Sequence, residues 1–523
     1  MGYSGKIIPI PCNKGGFQYP QSLDLLSDFG MVEAKNINLH EGGRQKRGGT
    51  TRRLASAVSG TPQITGLYLF SRSNGNQDII IGTSDGKIWD GDDVTTTAIT
   101  TGLATGQFFS FETFNDICYI CNTANQVQKY TGTGTTTALT TVPTDWGTTS
   151  PRQLIKHGRG NSERLWAIGV TGHTRTIYVS VDGSDDFSNT NVTTITINTP
   201  DKGGLMGGVV FGDRLIVFSK RHAYIIDDTD VNTANWGYEE AQWLGGVASW
   251  RLIIRVPNDI LCVTDDGDVY SVSAVQQYGD YKAASLARPA FIDRWIRENT
   301  VLTSLDTKFH GVYDEEIRAV KIFVVRSGTT TVDTALVYFI DRAPEEAWVI
   351  HDSSATSAGY RASAACQGIK SDGTKKTLTG DYAGWIWYLE DTSTYSDSGS
   401  GYYSGFKLPP ITFDSMKVDK RFDWLTIVTK PEGTFNLSIK TEVDEAYRDL
   451  DLLSLAGVGS LYGTGAFGTA TYGSTRILQG TVRTAAIGKR LSYEIFNNTA
   501  GQDFFISQLL IAYKTMGVTT GRD

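Results

Sequence analysis

The chain has 523 residues, of which 40% are hydrophobic and 20% charged, enough to bury a large core and, by length, to make two to four domains. Its net charge of −8 has the wrong sign for a protein that holds nucleic acid by neutralising phosphates. Five cysteines, odd in number and irregularly spaced, point to reduced synthesis in a cytosol rather than to a disulfide framework. No run of about eighteen apolar residues occurs, so no membrane segment is expected.

At the amino end, "MGYSGKIIPIPCNKGGFQYP" lacks the charged-then-apolar layout of a secretion signal, and Pro9 and Pro11 break its apolar run. Gly2 is followed by Lys6 where a myristoylation motif needs Ser or Thr. Neither secretion by that route nor lipid anchoring is expected. "QSLDLLSDF" reads as a short helix. The stretch from 35 to 53, "KNINLHEGGRQKRGGTTRR", then crowds Lys35, Arg44, Lys46, Arg47, Arg52 and Arg53 into an otherwise acidic chain.

From about residue 60 one layout recurs: polar turn, short apolar strand, polar turn, and a second strand carrying an aromatic. "NQDIIIGTSDGKIWDG", "FNDICYICNTANQVQKYTG", "GDRLIVFSKRHAYIID" and "PNDILCVTDDGDVYSVS" show it clearly. "ERLWAIGVTGHTRTIYVSVDG", "IRAVKIFVVRSGTTTVDTALVYFID" and "KKTLTGDYAGWIWYLED" follow more loosely. Each is a β-hairpin, with Asp85-Gly86 and Asp266-Gly267 tolerating positive φ in tight turns. Their spacing, roughly 40 to 60 residues, is that of four-stranded propeller blades. Residues 60–400 are therefore expected to form a β-propeller of six or seven blades. "RRLASAV", just before the first repeat, is placed as the strand that closes the ring, and "RPAFIDRWIREN" (288–299) as a helix.

Past "TYSDSGSGYYSG" the pattern changes. "FNLSIKTEV" and "LSYEIFN" alternate as strands with one face on a core do, so 401–523 reads as a C-terminal β-sandwich-like domain. "EAYRDLDLLSL" (445–455) is taken as a possible helix and "LAGVGSLYGTGAFGTATYGS" as an exposed loop. The fold class is all-β, with 1–59 as an N-terminal arm and strand-docking region.

Motifs for chemistry are mostly missing. Cys118 and Cys121 make a C-x-x-C inside a strand, where residues three apart face opposite ways, so both are core. The six histidines never fall at metal-ligand spacing; His222, in a hairpin turn, is placed at the surface. No P-loop, G-x-S-x-G or dinucleotide fingerprint occurs. Asp182, Asp185 and Asp186 come close to a sialidase-type acidic turn, but its glycine falls one residue early and no other blade repeats it, so turn capping explains them. Glu442, Asp444 and Glu445 lack the glycine and terminal glutamate of a calcium loop. Catalytic, cofactor and metal residues are all read as none, and the chain as no enzyme.

Two regions carry a resemblance. "GGFQYPQSLDLLSDFGMVEAKNINLHEGGRQKRGGTTR" resembles the opening of tail nozzle (tail hub) proteins of short-tailed bacteriophages, in which an "N-x-x-x…G-x-x-x-R-x-G" stretch precedes a propeller. "KRFDWLTIVTKPEGTFNLSIKTEVD" and "FFISQLLIAYKTMGVTTGRD" are similar to their last β domain. The resemblance implies a virion structural protein made in the host cytoplasm. It would be one of typically six copies in a ring that extends the DNA ejection channel below portal and adaptor. Implied partners are the adaptor (head-to-tail connector) proteins, a tail fibre or tailspike, and a needle or plug, with DNA passing through without specific binding. No catalytic residue carries over. Arg44, Lys46, Arg47, Arg52 and Arg53 would then pair with acidic surfaces of an adaptor or neighbouring subunit. The alternative is a phage tail propeller that binds a receptor or glycan through aromatic loops such as "GDYAGWIWYLED" and "SGSGYYSGF".

Overall fold

The computed structural model describes residues 5–516 other than 24–25, 27–28, 93, 159–161, 201, 281, 354–357, 371, 414, 431–433 and 457–477. The seven hairpins become the second and third strands of seven successive antiparallel sheets. The innermost strands are Ile64–Ser71, Ser110–Phe114, Gln153–His157, Gly207–Phe211, Ile253–Val256, His310–Asp314 and Ala362–Ile369. They follow one another around an axis, and the last lies beside the first. The chain is a seven-bladed β-propeller.

Each blade is apolar on both faces because both are covered. Phe70, Ile80 and Ile88 of blade one pack on Phe109, Cys118 and Ile120 of blade two. The other face of blade two, with Tyr119 and Cys121, packs on Leu154 and Leu165 of blade three. Cys118 and Cys121 thus lie in two different interblade cores, as their spacing requires. The tight turns form as expected, with Gly86 and Gly267 at φ of +76° and +83° and the Thr83 hydroxyl donating to Asp85.

Blade five departs from four strands. After Val269–Ser271 the helix Val272–Tyr278 stands in place of an outer strand, with Ser271 Oγ accepting from Ala274 N–H at 3.0 Å. The predicted segment 288–299 forms a 3₁₀ turn and then the helix Ile292–Asn299, burying Ile292, Trp295 and Ile296. "QSLDLLSDF" falls partly outside the described residues, and the Gly-rich loop wholly so apart from its first two residues.

The ring is closed by Gly49–Arg52, which supplies the outer strand of blade seven against Ile386–Asp391. This is upstream of the expected "RRLASAV", which shares only Arg52 with it. The double glycine decides the position, because a Cβ at Gly48 would sit 2.4 Å from the Glu390 backbone and one at Gly49 2.3 Å from the Ser396 carbonyl.

The amino end does not form a separate arm. Ile37–His40, Gly43–Lys46, Phe505–Thr515, Lys420–Thr429 and Leu478–Gly488 make one sheet of the sandwich, with Lys6–Pro11 along Phe505–Thr515. The second sheet runs Glu33–Lys35, Ser404–Lys407, Leu491–Asn497, Thr434–Val443, Ala446–Ala456. Glu33–Lys35 also pairs, in parallel, with Trp348–Asp352 at the rim of blade six. One nine-stranded sheet therefore runs from the innermost strand of blade six to the far edge of the sandwich.

The possible helix at 445–455 is a strand, Ala446–Ala456. Leu453 and Leu455 pair across Leu437 and Phe435 on the core side, whereas Tyr447, Leu450 and Leu452 face out. Apolar residues on both faces of a strand mimic helical spacing. We expect Gly49→Val to obstruct ring closure and destabilise the protein by about 2–3 kcal/mol, read as a lowered Tm, with Gly237→Ala, where an added Cβ meets nothing and φ is not positive, far milder.

Candidate assembly interface

The residues expected at an interface separate into two groups. Arg44, Lys46 and Arg47 are almost wholly buried, at 0%, 1% and 0% exposure, and their partners are in the same chain. Arg44 Nη2 donates to the Lys14 and Phe29 carbonyls at 2.9 and 3.2 Å, with its guanidinium over Phe406. Lys46 Nζ donates to Asn497 Oδ1 at 3.0 Å and the Thr499 carbonyl at 2.9 Å; burial lowers its pKa to about 8. A neighbouring subunit reaches none of the three in this conformation. Arg52 is exposed and stacks on Trp385 at 3.7 Å, and Arg53 is half-buried, bound to the Gly91 carbonyl and Asp92. Of the five, Arg52 is the one exposed at the surface.

Arg47 uses all five of its donors. Nε reaches Asn36 Oδ1 at 2.8 Å, Nη1 the Gly48 carbonyl and Asp397 Oδ1, and Nη2 Asp397 Oδ2 at 2.6 Å and the Asp352 carbonyl at 3.0 Å. The plane lies between the rings of Tyr402, at 3.8 Å, and Tyr360, at 4.3 Å. Asn36 in turn donates to Asp352 Oδ1 and the Tyr403 carbonyl. Blade six, blade seven, the closing strand and the sandwich all meet on this one guanidinium.

Beside it lies a second buried group. Lys321 Nζ pairs with Asp314 at 2.5 Å and Glu390 at 3.1 Å, and the Tyr360 hydroxyl donates to Glu390 Oε1 at 2.5 Å. Lys321, His351 and their neighbours hold the Glu390 carboxyl well below its ordinary range, against the opposing effect of burial. His351 Nε2–H donates to the Ile37 carbonyl at 3.0 Å, and burial drops its pKa to about 3. With every member enclosed and paired, these titratable groups hold the fold rather than contact a substrate.

Several of the carboxylates noted in the sequence are capped or paired. Asp185 binds Lys129 and the Tyr119 hydroxyl, Asp186 accepts from Ser188 N–H and Asn191, and Asp444 accepts from the Lys489 and Arg490 amides. His222 sits partly exposed in its turn, 2.8 Å from Glu240. One acidic cluster, Asp78, Asp90 and Asp92, gathers ligand atoms within 4.8 Å. Arg72, the Tyr130 hydroxyl and Arg53 respectively occupy its members. The aromatics of the proposed sugar-binding loops are largely taken: Trp387 and Tyr402 are core, and Tyr403 stacks on Phe496.

The surface feature that sequence reading missed is the edge strand Ala446–Ala456. Among the described residues nothing pairs with its outer side. It exposes Tyr447, Leu450 and Leu452 at 57%, 54% and 71%, and Ile487 on the neighbouring edge strand of the other sheet is 53% exposed. The two edges lie side by side, with Leu453 and Leu455 against Gly480. By contrast, Lys6–Pro11 is blunted by Lys6, Pro9 and Pro11. The missed signal was "LDLLSL", whose leucines serve two faces of one strand.

No protein family matches the chain, and no curated protein does. Solved structures similar to it include BamB from Moraxella catarrhalis, at 12% identity over 68% of this chain and 96% of that one (TM-score 0.37). The Pan2 WD40 domain of Neurospora crassa is 9% identical over 66% and 95% (TM-score 0.36). The computationally designed Ika8 protein is 13% identical over 64% and 98% (TM-score 0.33). Among the described residues no helix is long and apolar enough to cross a membrane.

Arg47→Met, which strands Asp397 in the interior, is expected to cost about 3–5 kcal/mol, whereas Arg52→Ala at the surface costs about 0.5 kcal/mol or less; chemical denaturation of the two variants checks the contrast. Acid should destabilise the protein in two steps. The His351 pKa is depressed in the folded state, so the unfolded chain takes up the proton first and stability falls from about pH 6.5 down to about pH 3. Each pH unit in that window costs on the order of 1.4 kcal/mol per such histidine. Glu390, also depressed, adds its loss below the ordinary glutamate range. His351→Gln should flatten the fall of Tm between pH 6.5 and 4.

Proposed function

We propose that the protein is a virion structural protein, a subunit of a bacteriophage tail nozzle ring that extends the DNA ejection channel below the portal and adaptor. The observation that carries this reading is the edge strand Ala446–Ala456, unpaired on its outer side among the described residues, with its outward row of Tyr447, Leu450 and Leu452. A long edge with exposed leucines and no proline invites pairing with another chain, and assembly is the use this reading gives it. The resemblance of the amino and carboxyl ends to nozzle proteins supplies the kind of assembly: a ring, typically of six copies, docked to adaptor proteins and meeting a tail fibre or tailspike and a needle or plug.

Net charge supports a conduit. At −8 per chain, six copies carry about 48 negative charges, which repel phosphate instead of binding it. Buried Arg44, Lys46 and Arg47 are unavailable to DNA. Catalysis has no part in this role.

Light scattering with negative-stain imaging, on the protein alone and mixed with the adaptor proteins of its source, should reveal a closed ring with an axial opening. The double variant Leu450→Glu, Leu452→Glu should remain monomeric with an unchanged circular dichroism spectrum. A wild-type monomer in both samples sinks the ring reading, and a ring that the variant forms equally well sinks the edge strand as its interface.

A further inference from the structure

Blade six buries an amine beside two carboxyl groups. Asp314 ends the innermost strand, His310–Asp314, and Lys321 lies on the next, Ala319–Val324, opposite Val312. Residues two apart on a strand share a face, so the Asp314 and Lys321 side chains meet diagonally across the pair. Glu390 reaches them from Ile386–Asp391 of blade seven. Asp314, Lys321 and Glu390 are 1%, 0% and 1% exposed. Lys321 Nζ lies 2.5 Å from Asp314 Oδ2 and 3.1 Å from Glu390 Oε1.

The two carboxyl groups are held differently. Glu390 is fixed as an ion by neutral donors, the Tyr360 hydroxyl on Oε1 at 2.5 Å and the Asn38 amide and Gly48 N–H on Oε2, each at 2.9 Å. A carboxylate so held is a poor electrophile and a ready proton acceptor. Asp314 turns Oδ2 to the amine, and its Oδ1 accepts from the Glu316 N–H at 3.1 Å, a backbone donor placed where negative charge develops on attack at Cγ. Nucleophile, electrophile, oxyanion donor and base are therefore within reach of one another in a site closed to water.

The ground state is ionic, because Asp314 and Glu390 keep Lys321 protonated against the effect of burial. Two charges taken out of water carry a desolvation cost, and joining them as an amide removes both.

We propose that Lys321 and Asp314 condense into an intramolecular amide, an isopeptide cross-link between the first two strands of blade six, with Glu390 carrying the protons. Nζ passes one proton to Asp314 Oδ2, which leaves a neutral amine beside a carboxylic acid. The Nζ lone pair attacks Asp314 Cγ, forming the C–N bond while Oδ1 takes the negative charge toward the Glu316 N–H. Glu390 Oε1 accepts a proton from the nitrogen and returns it to Oδ2, the C–Oδ2 bond breaks, and water leaves as the Oδ1 carbonyl re-forms. One ammonium and one carboxylate become one amide and one water, Glu390 is again a carboxylate, and no further reactant is consumed.

Mass spectrometry of the purified, folded full chain tests this. The intact mass should fall short of the sequence mass, with or without Met1, by one water. Trypsin cuts after Lys308, Arg318, Lys321 and Arg326 in a free chain; the cross-link blocks the cut at Lys321 and holds 309–318 and 319–326 together as one species, lighter than their sum by one water. Lys321→Met should lose the deficit, and Glu390→Gln, folded by circular dichroism, should retain its full mass. A wild-type chain at full mass that releases 309–318 and 319–321 as separate peptides overturns the proposal without reference to any variant. So does a joined species that contains Glu390 in place of Asp314, or a deficit that persists in Lys321→Met; a cross-link that forms equally well in Glu390→Gln overturns the part given to Glu390.

Discussion

A single buried guanidinium organises the junction of this molecule. Arg47 needs five acceptors out of water, and they come from Asn36, Gly48, Asp352 and Asp397, residues scattered over most of the chain. A buried ion pair adds little net stability over a well-packed apolar substitute, yet leaving one partner behind is costly. Its physical effect is therefore to penalise every arrangement in which blade six, blade seven, the closing strand and the sandwich are not all in place. The Tyr402 hydroxyl, donating to the Arg47 carbonyl, and Asn38, donating to the Glu390 carboxylate at 2.9 Å, tie the same segments by further hydrogen bonds. The two parts are bolted together by strands that cross between them, and the amino end, made first, completes both.

That interleaving explains what the sequence could and could not reveal. The seven hairpins were legible because each is local: strand, turn and strand lie within a few tens of residues, and Asp85-Gly86 or Asp266-Gly267 declares the turn. All seven became blades. Pairings across hundreds of residues leave no such trace. Gly49 pairs with Asp391 and Lys6 with Tyr513, and nothing at 6 or 49 encodes its distant partner. The basic stretch misled for a related reason. Charge in a sequence is read as surface because isolated charges rarely stay buried, but Arg47 and Lys321 are buried with partners brought by the fold. Arg52, by contrast, remains at the surface.

The same logic separates the two sheet edges of the sandwich. Lys6–Pro11 lies along Phe505–Thr515 and carries prolines that remove donors, so its free side offers little to another strand. Ala446–Ala456 keeps its donors and acceptors, and it turns leucines outward beside Ser438 and Lys440. Asp449 and Asp451 alternate with these leucines and so lie on the strand's other face. Such an edge is selective, since a partner must match leucine contacts and place positive charge near the aspartates. An aggregation-prone edge would lack those charges.

In the ring proposed above, the duplex would not run along the propeller axis. A cavity of about 230 Å³ cannot admit a double helix whose major groove alone is about 12 Å wide, and Phe109, Phe111 and Trp250 help line it. In that proposal the conduit would be bounded by the outsides of several subunits, with each propeller set off the ring axis as a rigid wall. Rigidity is what seven mutually packed blades supply, because each blade is covered on both faces and the closing strand removes the last free edge. The part left to make contacts is the sandwich, fixed to that wall by the nine-stranded sheet. In this arrangement the edge strand, unpaired among the described residues, points away from blade six along the same sheet that anchors it, so force at the proposed assembly contact would be carried by the backbone hydrogen-bond ladders of one continuous sheet into the propeller.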